Sequence, residues 1–340
     1  MNIDPTKTHQ VLEHKHDRPL VACRFDPAGR YVFFGAEDNF VHRFDLKSKT
    51  TTPLAAHDSW VRALGCSPSG DVLHSGGYDG RLVAWPAADE KPQPIRVTQA
   101  HDGWLRALAV SPSGQQIATC GNDNLVKLWS ATDGQLLATL AGHTSHVYHV
   151  AFHPTGETLV SCDLKGGLKE WDAASGSQKR ELTPAAALYK YDNTFRADIG
   201  GARSIAFRTD GNQLALGGIT NVTNAFAGIG HATVVLLEMA DGKVGLQLEA
   251  KEKVNGVAWG LAHHPAGFWI GLTGGGGGGW LYFWKGDYSN SPKDATANEF
   301  HKLKLANDGR DLALSPDKTQ LAVAHADKSL RLYSLGDKSA

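Results

Sequence analysis

Short apolar runs alternate with short polar turns along the chain. Between residues 104 and 142 the runs WLRALAVS, QQIATCG, LVKLWSA and GQLLATLAG are separated by Gly, Asp, Asn and Pro. Runs of this length, rich in apolar and β-branched residues and bounded by such turns, predict β-strands. No window offers the periodicity of a convincing amphipathic helix. The pattern therefore predicts an all-β chain of short strands.

The same pattern repeats at fixed offsets. A histidine is followed nine residues later by Phe, Val or Cys, then by Pro-x-Gly, and fifteen residues after that glycine by an aromatic residue. An aspartate stands six residues before the aromatic residue in three of these four units, and Lys165 replaces it in the fourth. Three more degenerate units follow, so seven units of about 49 residues fill the chain. The four clear units begin at His16, His57, His101 and His143 and reach Phe44, Trp85, Trp129 and Trp171.

Four strands per repeat of roughly 40–50 residues indicate propeller blades and not a solenoid. The sequence predicts a seven-bladed β-propeller of four-stranded antiparallel blades, forming one domain over residues 1–340. The last unit, about 306–335, has no fourth strand, whereas residues 8–14 carry an outer-strand pattern. We therefore expect the N-terminal strand to complete the last blade, which closes the ring without an exposed edge.

These units resemble WD-repeat β-propellers. The resemblance rests on the Gly142-His143 dipeptide, on the aspartate of the turn and on the Trp171-Asp172 pair, and it covers nearly the whole chain. It implies a bacterial-type interaction scaffold: a rigid ring that presents loops and side chains to a protein or peptide partner, without catalysis and without a cofactor.

The resemblance also implies a hydrogen-bond set of His, Ser or Thr, Asp and Trp in a blade. Such a set looks like a hydrolase triad, but it recurs at the same offsets in neighbouring units, whereas catalysis needs one site. We therefore expect it to brace the blades. The first unit has Phe34 and Phe44 in place of two members, and the last has Leu305 in place of the histidine. The complete sets are His57, Ser75, Asp79 and Trp85 in blade two and His101, Thr119, Asp123 and Trp129 in blade three.

In this family the innermost-strand position five residues after the histidine points at the mouth of the central channel and often contacts partners. Arginine occupies four of the seven mouth positions in a chain of net charge −1. Arg, Trp and Tyr are enriched in binding hot spots, and arginines suit an acidic or phosphorylated segment. The mouth positions are Val21, Arg62, Arg106, Tyr148, Arg203, Asn255 and Arg310, and Trp60, Trp104, Tyr78 and His146 complete the expected partner-binding rim.

Insertions are concentrated on one predicted face. Three of them fall on turns of the rim that carries the mouth, and one polar insertion falls on the opposite face. Elaborated loops on a rigid scaffold are where function concentrates, and neutral drift is the alternative. The three insertions on the mouth side are 183–201, 219–231 and 274–279, and the opposite one is 285–298.

Two local features suggest other ligands. The six-glycine run 274–279 lacks the Lys-Ser/Thr and the helix that follow a phosphate-binding loop, so it is interpreted as a turn between strands. His263 and His264 stand beside a Pro-x-Gly turn without a further ligand at metal-binding spacing, so they are interpreted as surface histidines.

Composition and charge narrow the classes of function. With 34 Lys+Arg against 35 Asp+Glu, the chain lacks the basic balance of a nucleic-acid binder. A run of about 18 apolar residues is absent, as is an apolar signal region, so neither a membrane span nor a signal peptide is expected. The cysteines form no C-x-x-C pair and fall in strand patterns, which favours buried thiols and a cytoplasmic protein. They are Cys23, Cys66, Cys120 and Cys162.

A propeller enzyme is the alternative. A hydrolase or lactonase of this shape would hold a metal ion in the central channel through several inward Glu, Asp, Asn or His ligands. The predicted mouth is rich in arginine, which repels cations. The sequence therefore favours a binding protein over such an enzyme.

Overall fold

The architecture is an all-β ring. The computed structural model describes residues 2–224, 229–285 and 296–337. In these ranges seven four-stranded antiparallel sheets follow one another, and a two-stranded sheet lies between the fourth and the fifth. The predicted seven-bladed propeller is thereby confirmed. No helix in the described ranges is long and apolar enough to cross a membrane.

The blades alternate short strands with turns as the apolar pattern requires. A 3-10 helix (Pro5–Lys7) and strand β1 (His9–Lys15) precede blade one. Blades one and two consist of β2 (Leu20–Phe25), β3 (Tyr31–Ala36), β4 (Val41–Asp45), β5 (Thr51–Leu54), β6 (Val61–Cys66), β7 (Val72–Gly77), β8 (Arg81–Pro86) and β9 (Arg96–Gln99). Blades three and four consist of β10 (Leu105–Val110), β11 (Gln116–Gly121), β12 (Val126–Ser130), β13 (Leu136–Leu140), β14 (Val147–Phe152), β15 (Thr158–Asp163), β16 (Leu168–Asp172) and β17 (Gln178–Leu182).

The second half begins with the inserted elements. A 3-10 helix (Ala186–Leu188) leads into β18 (Tyr189–Asp192) and β19 (Ala197–Gly200), which pair with each other. Blades five to seven consist of β20 (Ser204–Phe207), β21 (Gln213–Asn224), β22 (Ile229–Glu238), β23 (Val244–Leu248), β24 (Val257–His264), β25 (Phe268–Gly274), β26 (Trp280–Lys285), β27 (Glu299–Lys304), β28 (Gly309–Leu314), β29 (Gln320–His325) and β30 (Ser329–Ser334).

The first strand of each blade packs against the first strand of the next. β28 of blade seven contacts β2 of blade one, so the ring closes on itself. The core lies between neighbouring blades. Trp85 and Trp171, for example, are almost fully buried, and burial of a large apolar side chain stabilises a fold by about 1.5–3 kcal/mol.

The closing strand pairs as expected. β1 is antiparallel to β30, from His9 opposite Ser334 to Lys15 opposite Ser329, and the confirmed sheet order is β1-β30-β29-β28. Arg331 is 3% exposed. Its Nη2 donates to Glu13 on β1 at 2.7 Å and to Asp327 at 2.6 Å. A buried arginine needs carboxylate partners, so this pairing favours one register of β1.

The insertions on the mouth side touch one another in series. Lys190 Nζ of the β18–β19 hairpin donates to the Val222 carbonyl of the long β21–β22 hairpin at 2.8 Å. His231 on the same long hairpin bridges to Asn255, whose carbonyl accepts from Gly277 N of the glycine run at 2.7 Å. Residues 225–228 and most of the insertion 285–298 lie outside the described residues.

His263 and His264 are buried, with 8% and 3% exposure, so their interpretation as surface histidines is wrong. The His263 ring meets Trp269 edge-on at 4.8 Å, and the His264 ring stacks on Phe268 at 4.5 Å. His264 Nε2–H also donates to the Lys318 carbonyl at 2.9 Å. Aromatic neighbours on the adjacent strand therefore bury residues that sequence spacing alone placed at the surface beside a turn.

The cysteines are free, and three of the four are buried. Burial raises the pKa of the Cys66 and Cys162 thiols to about 12. Thiols with such pKa values stay protonated near neutral pH and pack as small apolar groups.

Candidate functional site

A β-bulge at the start of the innermost strand creates the mouth position. In blade two, Val61 pairs with Gly77 and Ala63 with Gly76, so Arg62 has no partner residue on β7. A bulge leaves one residue out of the ladder and re-aims its side chain. The ring repeats this device, with the same register shift around Val21, Arg106, Tyr148 and Arg310.

Blade six places a different residue at the bulge from the one expected. Ala258 pairs with Thr273 and Gly260 with Leu272, so the bulged residue is Trp259 and not Asn255. The mouth position in the other blades stands eight residues before the glycine of the Pro-x-Gly turn or its equivalent. Counting back from Gly267 by the same interval finds Trp259.

The mouth side chains form a continuous arc of alternating aromatic rings and guanidinium groups. Tyr78 stacks on Trp104 with ring centroids 4.2 Å apart and an interplanar angle of 9°. The Arg106 guanidinium lies 4.6 Å from the Trp104 ring centroid and 4.5 Å from that of Tyr148. The Arg203 guanidinium lies 4.2 Å from the Tyr148 ring centroid and 5.9 Å from that of Trp259. Contacts of this kind hold each arginine by its flat face and leave its N–H groups for other partners.

The outer part of the arc is open to solvent. Trp60 and Trp104 are 41% and 43% exposed, unlike the core tryptophans. Trp60 continues the stack, with its ring 6.2 Å from that of Tyr78. His146 stands at the equivalent position of blade four and is partly exposed. Large exposed aromatic surface on a rigid frame is a feature of binding surfaces.

A cavity of about 80 Å³ is lined by side chains of the arc, such as Arg106, Tyr148 and Arg203, and by residues from all seven blades. Four arginines line it, and Asp311 is the one acidic residue among the described lining residues. The cavity is small compared with ligand pockets of about 300–1,000 Å³. The charged lining residues are Arg24, Arg62, Arg106, Arg203 and Asp311.

Several polar atoms at the cavity have no hydrogen-bond partner among the described residues. They are Arg203 Nε, Ser204 Oγ and His149 Nδ1, and all three residues line the cavity. Buried polar groups are nearly always satisfied in native proteins, and exceptions need an explanation. Two of these groups, a guanidinium N–H and a hydroxyl, are donors that would suit an incoming oxyanion.

The electrostatic setting of the cavity is positive. Burial lowers the pKa of His149 to about 3, and Arg62 and Arg24 act in the same direction. Burial also lowers the pKa of Arg203, with Arg106 adding to the effect and Tyr148 opposing it. Arg62 Nη1 lies 4.0 Å from Asp311 Oδ2, a distance at the limit of an ion pair. The cavity therefore disfavours further positive charge and favours an anion.

Arg310 differs from the other arginines at the mouth. Its Nη1 donates to Glu37 Oε1 across the junction of blades seven and one, and it does not line the cavity. Three of the four expected arginines, Arg62, Arg106 and Arg203, line the cavity, and Arg24 joins them from further along β2. The pairing of Arg310 neutralises one side of the expected ring of positive charge.

The sequence carries a weak signal for the polar cavity residues that the repeat alignment did not predict, which are His149, Asp311 and Arg24. The residue after the mouth position is Ala, Ser or Gly in five blades, but it is His149 in blade four and Asp311 in blade seven. Large polar residues at a repeat position that otherwise holds only small residues indicate a role in the channel. Arg24 follows the mouth position of blade one by three residues.

The hydrogen-bond sets form continuous chains in blades two and three. His57 Nδ1 lies 3.1 Å from Asp79 Oδ2, and its Nε2 lies 2.8 Å from Ser75 Oγ, which accepts from Trp85 Nε1–H. His101, Asp123, Thr119 and Trp129 repeat this arrangement.

Blade four completes its own set with a residue that the repeat offsets did not predict. Asp163 Oδ2 lies 2.9 Å from His143 Nδ1, in the role expected six residues before Trp171, where Lys165 stands. The shift of the aspartate by two residues is accommodated by a turn in which Asp163 Oδ1 accepts from the backbone N–H groups of Lys165 and Gly167.

Comparison with known proteins agrees with the fold. The family model described as "WD domain, G-beta repeat" matches residues 47–85, 92–130 and 134–172. The chain therefore contains three WD repeats within a closed propeller of seven four-stranded blades. Propellers of this family are in general non-catalytic scaffolds for protein interactions.

Similar proteins with curated descriptions match short segments. The chain is similar to mitotic checkpoint protein bub-3 of Caenorhabditis elegans, with 31% identity over 78 residues, which cover 23% of this chain and 22% of that protein. It is also similar to protein hir-1 of Neurospora crassa, with 30% identity over 101 residues, which cover 24% of this chain and 10% of that protein. The matched segments thus span a small part of either relative.

Proposed function

We propose that this propeller binds a protein or peptide partner at its channel mouth and receives one anionic side chain of that partner in the central cavity. The observation that carries the proposal is the cavity itself, where, among the described residues, four arginines face a single aspartate and donors of Arg203 and Ser204 have no hydrogen-bond partner. WD repeats and the matched relatives support a protein partner.

The cavity size supports a single side chain as the inserted group. About 80 Å³ is too little for a typical small-molecule ligand but suits a carboxylate or a phosphoryl group. Guanidinium groups bind both through charge-assisted hydrogen bonds. An acidic residue and a phosphorylated residue thus share this recognition chemistry.

The exposed aromatic rings support a contact area around the inserted group. Trp60, Tyr78 and Trp104 form a stacked, rigid and partly exposed platform beside the cavity. Rigid aromatic side chains provide contact area at a low cost in conformational entropy. In this arrangement the arginines select the anion, and the rings contact the residues beside it.

The same residues weigh against a metal enzyme in the channel. A catalytic ion there would need several acidic, amide or imidazole ligands. Among the described cavity residues, His149 and Asp311 are of suitable type, and four arginines surround them. A binding function therefore fits the channel better than metal catalysis.

Affinity capture from the native lysate tests the proposal. The bait proteins are the wild type, an Arg62→Glu/Arg106→Glu variant and an Arg30→Glu/Arg208→Glu control. Arg30 and Arg208 lie in turns at the other end of blades one and five. We expect one partner to be captured by the wild type and the control and lost from the mouth variant, because attraction becomes repulsion. Equal capture by all three baits would exclude the mouth as the binding surface.

A further inference from the structure

One side-chain cluster in blade one belongs neither to the mouth nor to a complete hydrogen-bond set. His16, Asp38 and His42 bring their ligand atoms within 4.8 Å of one another. The Nε2 atoms of both histidines lie 2.9 Å from the same oxygen, Asp38 Oδ2. Two donors thus converge on one carboxylate oxygen.

The cluster departs from the arrangement in blades two to four. There the histidine contacts the aspartate through Nδ1 and a hydroxyl through Nε2, as His57 does with Asp79 and Ser75. In blade one Phe34 occupies the hydroxyl position, and His16 turns its Nε2 to the carboxylate. The second imidazole, from His42, contacts the same oxygen.

Neighbouring groups hold these ligands in place. Phe34 stacks on the His42 ring at 4.9 Å and meets the His16 ring edge-on at 5.3 Å. Asp38 Oδ1 accepts from the Phe40 backbone N–H at 3.1 Å, which orients the carboxylate. Such contacts around a ligand set fix its geometry and raise metal affinity.

The chemistry of the cluster suits a transition metal ion. Two imidazoles and a carboxylate are ligand types of zinc, and the bonds have lengths of about 2.0–2.2 Å. Around a tetrahedral ion such bonds separate the ligand atoms by about 3.3 Å, so atoms already 2.9 Å apart need small rotamer changes.

We propose that His16, Asp38 and His42 bind a divalent first-row transition metal ion such as zinc. The three side chains are 13%, 20% and 7% exposed, so solvent reaches the cluster and water completes the coordination. His16 follows the closing strand β1, and its N–H donates to Lys328 of blade seven, whereas the other ligands belong to blade one. The ion therefore ties the closing strand to blade one and stabilises the closed ring.

The test is a titration of the full chain, stripped by chelator, with Zn²⁺ and with Co²⁺, and with Mg²⁺ for comparison. We expect one Zn²⁺ per chain by calorimetry, visible absorption of tetrahedral Co²⁺, a melting temperature that rises with Zn²⁺, and no response to Mg²⁺. His42→Gln and Asp38→Asn are each expected to weaken Zn²⁺ binding by at least about tenfold. His9→Gln removes an imidazole outside the cluster and is expected to bind like the wild type.

A second measurement uses the wild type alone, so it tests the proposal even if the variants fail to fold. Zn²⁺ should protect His16 and His42, and not His9, from acylation by diethyl pyrocarbonate, as mapped by mass spectrometry. The proposal is overturned if the wild type binds no Zn²⁺ at micromolar concentrations, if folded His42→Gln binds it equally well, or if Zn²⁺ protects neither histidine of the cluster.

Discussion

The hydroxyl of Ser75 sits between a tryptophan and a histidine, and the partners determine which way it donates. Asp79 is a carboxylate, so His57 Nδ1 carries the proton that it shares with Asp79, and His57 Nε2 accepts from Ser75 Oγ–H. Ser75 in turn accepts from Trp85 Nε1–H. The direction matches that of a Ser-His-Asp triad, but Ser75 is 0% exposed and His57 is 8% exposed. Without access for a substrate, the set acts as a brace.

Removing one histidine from such a set should cost stability. His101→Ala leaves Asp123 and Thr119 without their shared partner, so we expect a loss of roughly 1–3 kcal/mol in the free energy of unfolding. Urea denaturation measures the loss, and His9→Ala, at a partly exposed position, should change it little. A folded His101→Ala variant of wild-type stability that lost a biochemical activity would revive the catalytic interpretation.

Buried neutral histidines should make the protein sensitive to mild acid. Burial lowers the pKa of His74 to about 4, and Arg96 adds to the effect. The unfolded chain protonates a histidine near pH 6.5. From about pH 6.5 down to 4 the unfolded state therefore binds more protons at this position, and the free energy of unfolding falls as the pH falls, by up to about 1.4 kcal/mol per pH unit.

His74→Gln should reduce that slope. Urea denaturation of the variant and the wild type at pH 7, 6 and 5 measures it, with His9→Gln as the control. Identical slopes for wild type and His74→Gln would show that His74 does not titrate with a lowered pKa.

At the scale of elements, two devices organise the molecule. The bulge of the innermost strand turns one side chain toward the channel in six of the seven blades, around Arg62 and Arg106 for example. Strand β1 closes the ring by pairing with β30, and Arg331 ties it through Glu13. The first device supplies the site, and the second keeps the blades in the arrangement that brings the side chains together.

Deletion of residues 1–15 should open the ring. It removes β1, leaves the edge of β30 unpaired and deprives the buried Arg331 of Glu13. We expect aggregation or the loss of cooperative thermal unfolding, and partial rescue by a synthetic peptide of residues 2–16 but not by its scrambled form. A truncated protein that melts like the full chain would contradict the closing role of β1.

At the scale of the whole molecule, the ring was predictable because its signals are local and repeated. Turn glycines, core aromatic residues and strand patterns recur at fixed offsets, and four strands per unit leave few alternatives to a propeller. The exposed Trp60 and Trp104 and three of the four arginines of the cavity follow from the same alignment.

The features that the repeat offsets did not predict depend on contacts between distant parts of the chain or on altered spacing within a blade. Arg310 pairs with Glu37 across the closure of the ring, between residues far apart in the sequence. In blade six the bulged residue is Trp259 and not Asn255, four residues from the expected position. Asp163 stands two residues from its expected place because the turn of blade four is different.

The mouth depends on the whole molecule, because residues from all seven blades meet at one cavity only in the closed ring. Like charges close to one axis repel each other and create a focused positive potential. Charge reversal at Arg62 and Arg106 removes that repulsion but also removes stacking of Arg106 on Trp104 and Tyr148, each contact worth about 0.5–1 kcal/mol. The two effects oppose each other, so the melting temperature should change little.

Peptide binding tests anion recognition at the mouth most directly. The affinities of the wild type and of Arg62→Glu/Arg106→Glu are measured for fluorescent peptides that differ at one central residue, which is phosphoserine, glutamate, serine or lysine. We expect the wild type to bind the phosphoserine or glutamate peptide at least about tenfold more tightly than the serine peptide, with weakening at high salt. The mouth variant should lose that preference while melting near the wild-type temperature. A wild type that does not distinguish the anionic from the neutral peptides, or a folded mouth variant that keeps the preference, would contradict the account.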